Sequence, residues 1–155
     1  LLAVAYWLYR RFAKRETTET AVEQVEVRDP WEVAMETLER IKQEKTWQQT
    51  GRQKVYFTEL TDALRTYADG VFSVNCMELP SSEILKELTP LLKDNKEALL
   101  ALKSILNIAD LVKFAKWTAM PNECEDSLKQ AYLFLELTHP KPTEEPVQDE
   151  KTAKE

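Results

Sequence analysis

Glycine is scarce in this sequence, which has only Gly51 and Gly70 among its 155 residues. Sheets depend on glycine-rich or otherwise specialised turns, so this scarcity favours an all-α fold. Two isolated glycines also cannot form a glycine-rich phosphate-binding loop. The chain further lacks a Gly-x-Ser-x-Gly nucleophile elbow and a His-Glu-x-x-His zinc motif.

Histidine and cysteine are nearly absent as well. His139 is the single histidine, and Cys76 and Cys124 are the only cysteines. A metal site needs several ligands at suitable spacing, and neither cysteine lies near His139 in sequence, so we expect a solvated histidine at a helix end. The cysteines fit reduced thiols that pack as small apolar residues. We therefore predict no catalytic residue, no metal and no cofactor.

The charge of the chain is unevenly distributed. Its net charge of −6 combines +4 in Leu1–Arg15 with −10 in the rest. An acidic domain is repelled by phosphate backbones, so we expect no nucleic-acid partner. The same charge favours a domain that is held away from an anionic membrane surface. With no catalytic motif, we also expect no small-molecule substrate.

The first fifteen residues, LLAVAYWLYRRFAKR, place an uncharged run with aromatic rings before a basic cluster. This order is typical of a transmembrane helix that leaves the bilayer on its cytoplasmic side. Nine helical residues span only about 14 Å, so we predict the C-terminal half of a single membrane-spanning helix. The alternative is an N-terminal amphipathic helix of a soluble domain. The predicted anchor residues are Leu1, Leu2, Val4, Tyr6, Trp7, Leu8, Tyr9, Arg10 and Arg11.

The rest of the chain divides into three predicted parts. Residues 16–28 form an acidic linker, residues 29–139 a compact helical domain, and residues 140–155 a disordered tail with almost no large apolar side chain. The predicted location is a membrane, with the helical domain in the cytoplasm.

Apolar periodicity predicts about five helices in the domain. The fourth carries apolar residues on almost all sides, which is typical of a helix at the buried centre of a small bundle. The third should break near Thr89, because the residue before a proline avoids the helical region. The predicted spans are Pro30–Lys45, Arg52–Gly70, a short helix from Ser81, a helix capped by Asp94 or Asn95 that runs to about Trp117, and a helix from Pro121.

Three residues are candidate contacts for a protein partner: Trp47, Asp110 and Lys113. Asp110 lies within an apolar helix, where a carboxylate is costly unless it is paired. It either forms a structural ion pair, with Lys113, Arg65 or Lys116, or it contacts another protein. Trp47 lies in a polar connection, where it either covers the core or forms an exposed binding residue.

Four segments of the chain form a pattern together: Asp29-Pro30, Tyr56–Leu60, Phe72–Leu79 and Ala109–Ala115. This pattern resembles a family of small bacterial single-pass membrane proteins of unknown function. The genes of that family lie beside MoxR-type AAA ATPases and von Willebrand A-domain proteins in the aerotolerance (Bat) cluster. The likeness extends over about Leu1 to Leu137, although many relatives have a glycine where this chain has Ser73. It implies a location in the inner membrane of a bacterial cell.

The resemblance implies a non-catalytic, membrane-tethered accessory of an ATPase-driven maturation or assembly system. Its expected partner is an AAA ATPase or a von Willebrand A-domain protein.

The alternative function is a membrane-tethered transcription regulator with a helix-turn-helix. The helix from Ser81 would then read DNA, but it offers only Lys86 against Glu83 and Glu87.

Overall fold

The computed structural model describes residues 28–140, which form five α-helices and one short 3-10 helix. No strand occurs in this range. The prediction of an all-α fold with about five helices is therefore confirmed. The helices are α1 (Pro30–Glu44), α2 (Gln53–Phe72), α3 (Ser81–Leu91), α4 (Lys96–Phe114) and α5 (Pro121–Thr138), and the 3-10 helix is Thr46–Gln48.

The predicted anchor Leu1–Arg15, nearly all of the predicted linker and nearly all of the predicted tail lie outside the described residues. Within residues 28–140, none of the helices combines the length and the apolar character needed to cross a bilayer.

The first and the last of the described residues lie at the same end of the bundle. Trp31, at the start of α1, stacks on His139 after α5, with 4.6 Å between the ring centroids. Asn95, before α4, donates a hydrogen bond of 2.7 Å from its side-chain amide to the carbonyl of Leu137. We call this the proximal end, and the end that contains the last turn of α4 and the first turn of α5 the distal end.

The core lies between α2, α4 and α5, with α1 on one side. Both α1 and α4 pack on α2 and α5, and α3 packs on α4. Each fully buried large side chain stabilises the fold by about 1.5–3 kcal/mol relative to its exposed state. The largest of them are Tyr56, Tyr67, Phe57, Phe134, Leu38, Ile41, Leu60, Leu64, Ile84, Leu88, Leu102 and Ile105.

Cys76 and Cys124 belong to the same core as free, buried thiols. The prediction that they pack as small apolar residues is confirmed. Burial disfavours the thiolate and raises the pKa of each thiol to about 11, helped by Asp69 near Cys76 and by Glu123 near Cys124.

The predicted end of α2 at Gly70 is wrong. The helix continues to Phe72, and Ser73 ends it in the left-handed conformation, with φ of 55°. Gly70 has another role, because a Cβ at this position would lie 2.6 Å from Cγ of Pro30. The missing side chain lets the start of α1 pack directly on the last turns of α2.

The predicted break near Thr89 is also wrong, since α3 continues through Pro90 to Leu91. A proline lacks the amide hydrogen that would bond to the carbonyl four residues earlier. Here the proline is the penultimate residue of the helix, so only the final turn is affected. The Thr89 hydroxyl donates to the carbonyl of Leu85 over 2.6 Å, and the amide of Leu92 donates to Leu88 over 2.9 Å.

The close contact between Gly70 and Pro30 predicts an unusual response to alanine. In an ordinary helix interior, Gly→Ala stabilises by roughly 1 kcal/mol. We expect Gly70→Ala to lower the free energy of unfolding by about 1–3 kcal/mol, because the new methyl group overlaps the proline ring. Ser73→Gly should raise it by about 1 kcal/mol, since glycine adopts a positive φ without strain. Urea denaturation of both variants measures these changes, and stabilisation by Gly70→Ala would contradict the packing described.

The buried thiols predict a loss of stability at alkaline pH. Their pKa values in the folded protein, about 11, exceed the ordinary 9.0, so the folded state keeps protons that the unfolded state releases above pH 9. The thiols should therefore leave stability unchanged between about pH 7 and 8.5 and lower it between pH 9 and 11. Urea denaturation across this range checks this, and Cys76→Ala/Cys124→Ala should show a shallower decline than the wild type. An equal decline in both proteins would contradict it.

Candidate interaction surface

The helix α4 carries large apolar side chains on the face that points away from the core. Leu100 is 64% exposed, Phe114 is 78% exposed, and Leu111 is also exposed. At 100° per residue these three positions and Asn107 lie on one face of the helix. The prediction of a helix buried on all sides is therefore wrong for this face. The opposite face is buried and consists of Ala98, Ala101, Leu102, Ile105, Leu106, Ala109 and Val112.

This apolar surface continues beyond the helix. The helix ends at Phe114, three residues before the predicted end, and Lys116 turns the chain with a φ of 55°. The amide of Trp117 then donates to the carbonyl of Leu111 over 3.2 Å, which returns the chain to the last turn of α4. Trp117 is 51% exposed, and Met120 is exposed as well. We define the α4 outer face as Leu100, Leu111, Phe114, Trp117 and Met120.

The segment 115–120 is held against α2 by the side chain of Gln53. The Gln53 amide nitrogen donates to the carbonyl of Ala119 over 2.8 Å, and the amide of Ala119 donates to the Gln53 side-chain oxygen over 2.9 Å. Glu123 accepts a hydrogen bond of 2.7 Å from the amide of Met120. The exposed position of Trp117 and Met120 is thus part of a hydrogen-bonded loop structure.

Three lysines accompany the outer face. Lys103 and Lys116 are exposed, and between residues 98 and 122 the only acidic residue is Asp110. Lys113 donates to the hydroxyl of Thr61 over 3.1 Å, and its ammonium lies 6.0 Å from the ring centre of Phe114. This segment is therefore basic, in a chain whose acidic residues outnumber its basic ones.

Burial holds the pKa of Lys113 below its ordinary value, and repulsion by Arg65 lowers it further. Asp62 and Asp110 act in the opposite direction. The dominance of desolvation shows that this ammonium is partly withdrawn from water at the edge of the outer face.

The structure places the three predicted contact residues in different surroundings. Asp110 is half-buried beside the outer face, and within the described chain no ion pair of 4 Å or less contains it. The structural ion pair with Lys113, Arg65 or Lys116 is therefore not found. Lys113 lies next to Phe114, so both predicted charged residues adjoin the outer face, and their role as contacts stays a prediction.

Trp47 lies elsewhere, in the 3-10 helix. It is only 6% exposed, and its ring centroid is 4.9 Å from that of Tyr56. This placement matches the core alternative for Trp47, and we do not include it in the outer face. The expected solvated state of His139 is wrong, because the ring is half-buried against Trp31.

Sequence reasoning missed Phe114 and Trp117 as surface residues. The available signal was the presence of apolar residues on all sides of α4. A small domain buries a smaller fraction of its surface than a large one, so some of these apolar side chains were candidates for exposure.

Other features of residues 28–140 give weaker indications of a functional site than the α4 outer face. A groove of about 540 Å³ between α1 and α2 is lined by Arg28, Arg40, Glu59 and Asp62 among other residues. In this range no group of three or more His, Cys, Asp or Glu side chains could hold a metal ion. The connection between α2 and α3, residues 73–80, is longer than the turn of a helix-turn-helix, so the geometry does not favour the alternative of a DNA-reading helix from Ser81.

Comparison of the chain with protein-family models, with curated proteins and with solved structures gives no match.

The double hydrogen bond of Gln53 predicts that this residue fixes the loop. We expect Gln53→Ala to lower the free energy of unfolding by about 1–3 kcal/mol, because it leaves the amide and carbonyl of Ala119 without their partners. Amide hydrogen exchange at Ala119 should become faster. Gln48→Ala, at an exposed glutamine, is the matched control. Unchanged exchange at Ala119 in the Gln53 variant would contradict the assigned role.

Proposed function

We propose that this protein is a non-catalytic, membrane-anchored interaction module whose helical domain lies in the cytoplasm. In this proposal, it is an accessory of a MoxR-type AAA ATPase or of a von Willebrand A-domain protein. The observation that carries the proposal is the α4 outer face, an ordered apolar surface that reaches the end of the bundle opposite to both chain connections.

The position of this surface suits a tethered module. The helix α2 has 20 residues and is therefore about 30 Å long. The chain connections at Trp31 and His139 lie at the proximal end, whereas Phe114 and Trp117 lie at the distal end. If Leu1–Arg15 anchors the chain, the proximal end faces the membrane and the distal end faces away from it. A partner in the cytoplasm then has free access to Phe114 and Trp117.

The composition of the surface suits protein recognition. Tryptophan, phenylalanine and methionine are enriched in protein interfaces, and tryptophan in particular dominates binding energies. Contiguous exposed apolar patches on small soluble domains mark interaction sites. Because the loop that presents Trp117 is already hydrogen-bonded, a partner has little ordering cost to overcome.

The local charge of the outer face favours a different protein over a second copy. In a symmetric contact between two outer faces, Lys103, Lys113 and Lys116 would meet the same three lysines of the second copy, and like charges at an interface weaken binding. The sequence resemblance to the aerotolerance (Bat) group supports an ATPase or a von Willebrand A-domain protein as the partner.

Affinity purification of the full chain from membranes solubilised in mild detergent tests the proposal. We expect wild type to recover an AAA ATPase or a von Willebrand A-domain protein, and Phe114→Ser/Trp117→Ser to lose it because the apolar contact is removed. Met77→Ser, at a methionine that is 45% exposed before α3, should retain the partner. Circular dichroism controls for folding.

Two outcomes would refute the proposal. One is recovery of neither class of protein by the wild type. The other is recovery of the full chain from the soluble fraction when the cells are broken without detergent.

A further inference from the structure

We propose that the α4 outer face binds an acidic amphipathic helix of a protein partner. The inference rests on the proposed function and adds to it the chemical class of the bound segment. It combines three properties of the surface: its length, its apolar spacing and its local charge.

The length of the surface matches a short helix. Leu100 and Phe114 are separated by fourteen residues of α4, which corresponds to about 21 Å along the axis. Trp117 and Met120 extend the surface beyond the end of the helix. A partner helix of about four turns would cover this distance. Its apolar side chains, three and four residues apart, would contact Leu100 at one end and Leu111 and Phe114 at the other, because Lys103, Ser104 and Asn107 occupy the outer side of α4 between them.

The local charge selects an acidic partner. Lys103 lies between Leu100 and Leu111 on the outer side of α4, and Lys113 and Lys116 flank Phe114. Asp110 is the only carboxylate between residues 98 and 122, and Glu97 and Glu123 lie just outside this range. Glutamates that border the apolar stripe of a bound helix would face these lysines, which favours both fast association and a defined register.

The remaining surface of the domain discourages other binding modes for such a helix. Residues 28–140 hold 18 acidic and 14 basic residues, and 17 of the acidic but only 11 of the basic residues lie outside residues 98–122, so the rest of the domain has a net negative charge that disfavours an acidic segment. A basic helix would instead be attracted to many positions outside α4. The preference for an acidic helix therefore restricts docking to the α4 outer face.

An alternative occupant is the chain's own acidic segment 16–27. This segment joins the domain at Arg28, directly before α1. The helix α1 packs on α2 and α5, whereas the outer face belongs to α4. The position of the connection therefore favours a helix from another protein, and the intramolecular case is one of the outcomes below.

The test uses the full chain in neutral phosphatidylcholine nanodiscs and two fluorescent peptides. The first peptide has about 18 residues of Leu, Glu and Ala with leucines three and four residues apart, which makes a helix of about 27 Å. The second has lysine in place of every glutamate. Fluorescence anisotropy, with empty nanodiscs as the blank, should show that the acidic peptide binds at least about tenfold more tightly, and that salt weakens its binding.

Variants locate the binding. Phe114→Ser and Lys103→Glu should each weaken binding of the acidic peptide by about tenfold, a change equivalent to 1.4 kcal/mol. Their matched controls are Met77→Ser and Lys86→Glu, at exposed positions outside α4, and these should leave the affinity unchanged. All four positions are exposed, so the folded state should persist, which circular dichroism verifies.

Four outcomes would overturn the inference. They are absence of peptide binding, equal affinity for the two peptides, unchanged binding by Phe114→Ser, and tighter binding once residues 16–27 are replaced by Gly and Ser. The last result would identify that segment as the occupant. Peptide binding without recovery of any partner from membranes would refute the proposed function alone, whereas partner recovery without peptide binding would refute only this inference.

Discussion

The structure depends on the way α2 holds the chain between α4 and α5. The buried hydroxyl of Tyr56 donates to the carbonyl of Cys124 over 2.6 Å in the first turn of α5. One helical turn earlier, Gln53 forms its two hydrogen bonds with Ala119. Burial raises the pKa of Tyr56 well above its usual range, so the hydroxyl stays protonated and can donate at all ordinary pH values. These bonds fix the loop that carries Trp117 and Met120.

The helix α4 has two apolar faces, of which one is buried in the core and the other is exposed. One face packs on α2, α3 and α5 and supplies much of the core. The other face ends in Phe114, whose full burial would be worth about 1.5–3 kcal/mol that the isolated domain does not gain. The Gln53 bonds hold the loop in a position that leaves Phe114 78% exposed, so its ring is accessible to a partner.

The overall fold was predictable from sequence because it rests on local patterns. The apolar periodicity and the capping residues Asp29 and Asn95 specify helices without knowledge of their neighbours. The errors concern helix ends, where contacts with other helices and not the local sequence determine the structure. Gly70 resembles a helix stop in sequence, but it is retained for contact with Pro30. The rule against helical residues before proline failed at Thr89 because Pro90 is so close to the end of α3.

The candidate surface was only partly predictable, because the packing of the helices determines which side chains are exposed. Asp110 and Lys113 stand out in sequence as charges within an apolar helix, and both adjoin the surface. Phe114 and Trp117 are the aromatic residues of this surface, yet an apolar pattern cannot indicate which side of a helix the core will cover. Trp47 shows the converse, because its polar sequence neighbours left both a core position and an exposed one open, and its packing against Tyr56 places it in the core.

Site-specific photocrosslinking in intact cells can identify what contacts the α4 outer face. A benzophenone side chain replaces Phe114 in one variant of the full chain and Met77 in another. We expect irradiation to link position 114 to one discrete partner protein, and position 77 to give no such product. Crosslinking from position 77 alone, or no crosslink from position 114, would contradict the claim that the α4 outer face is the docking surface.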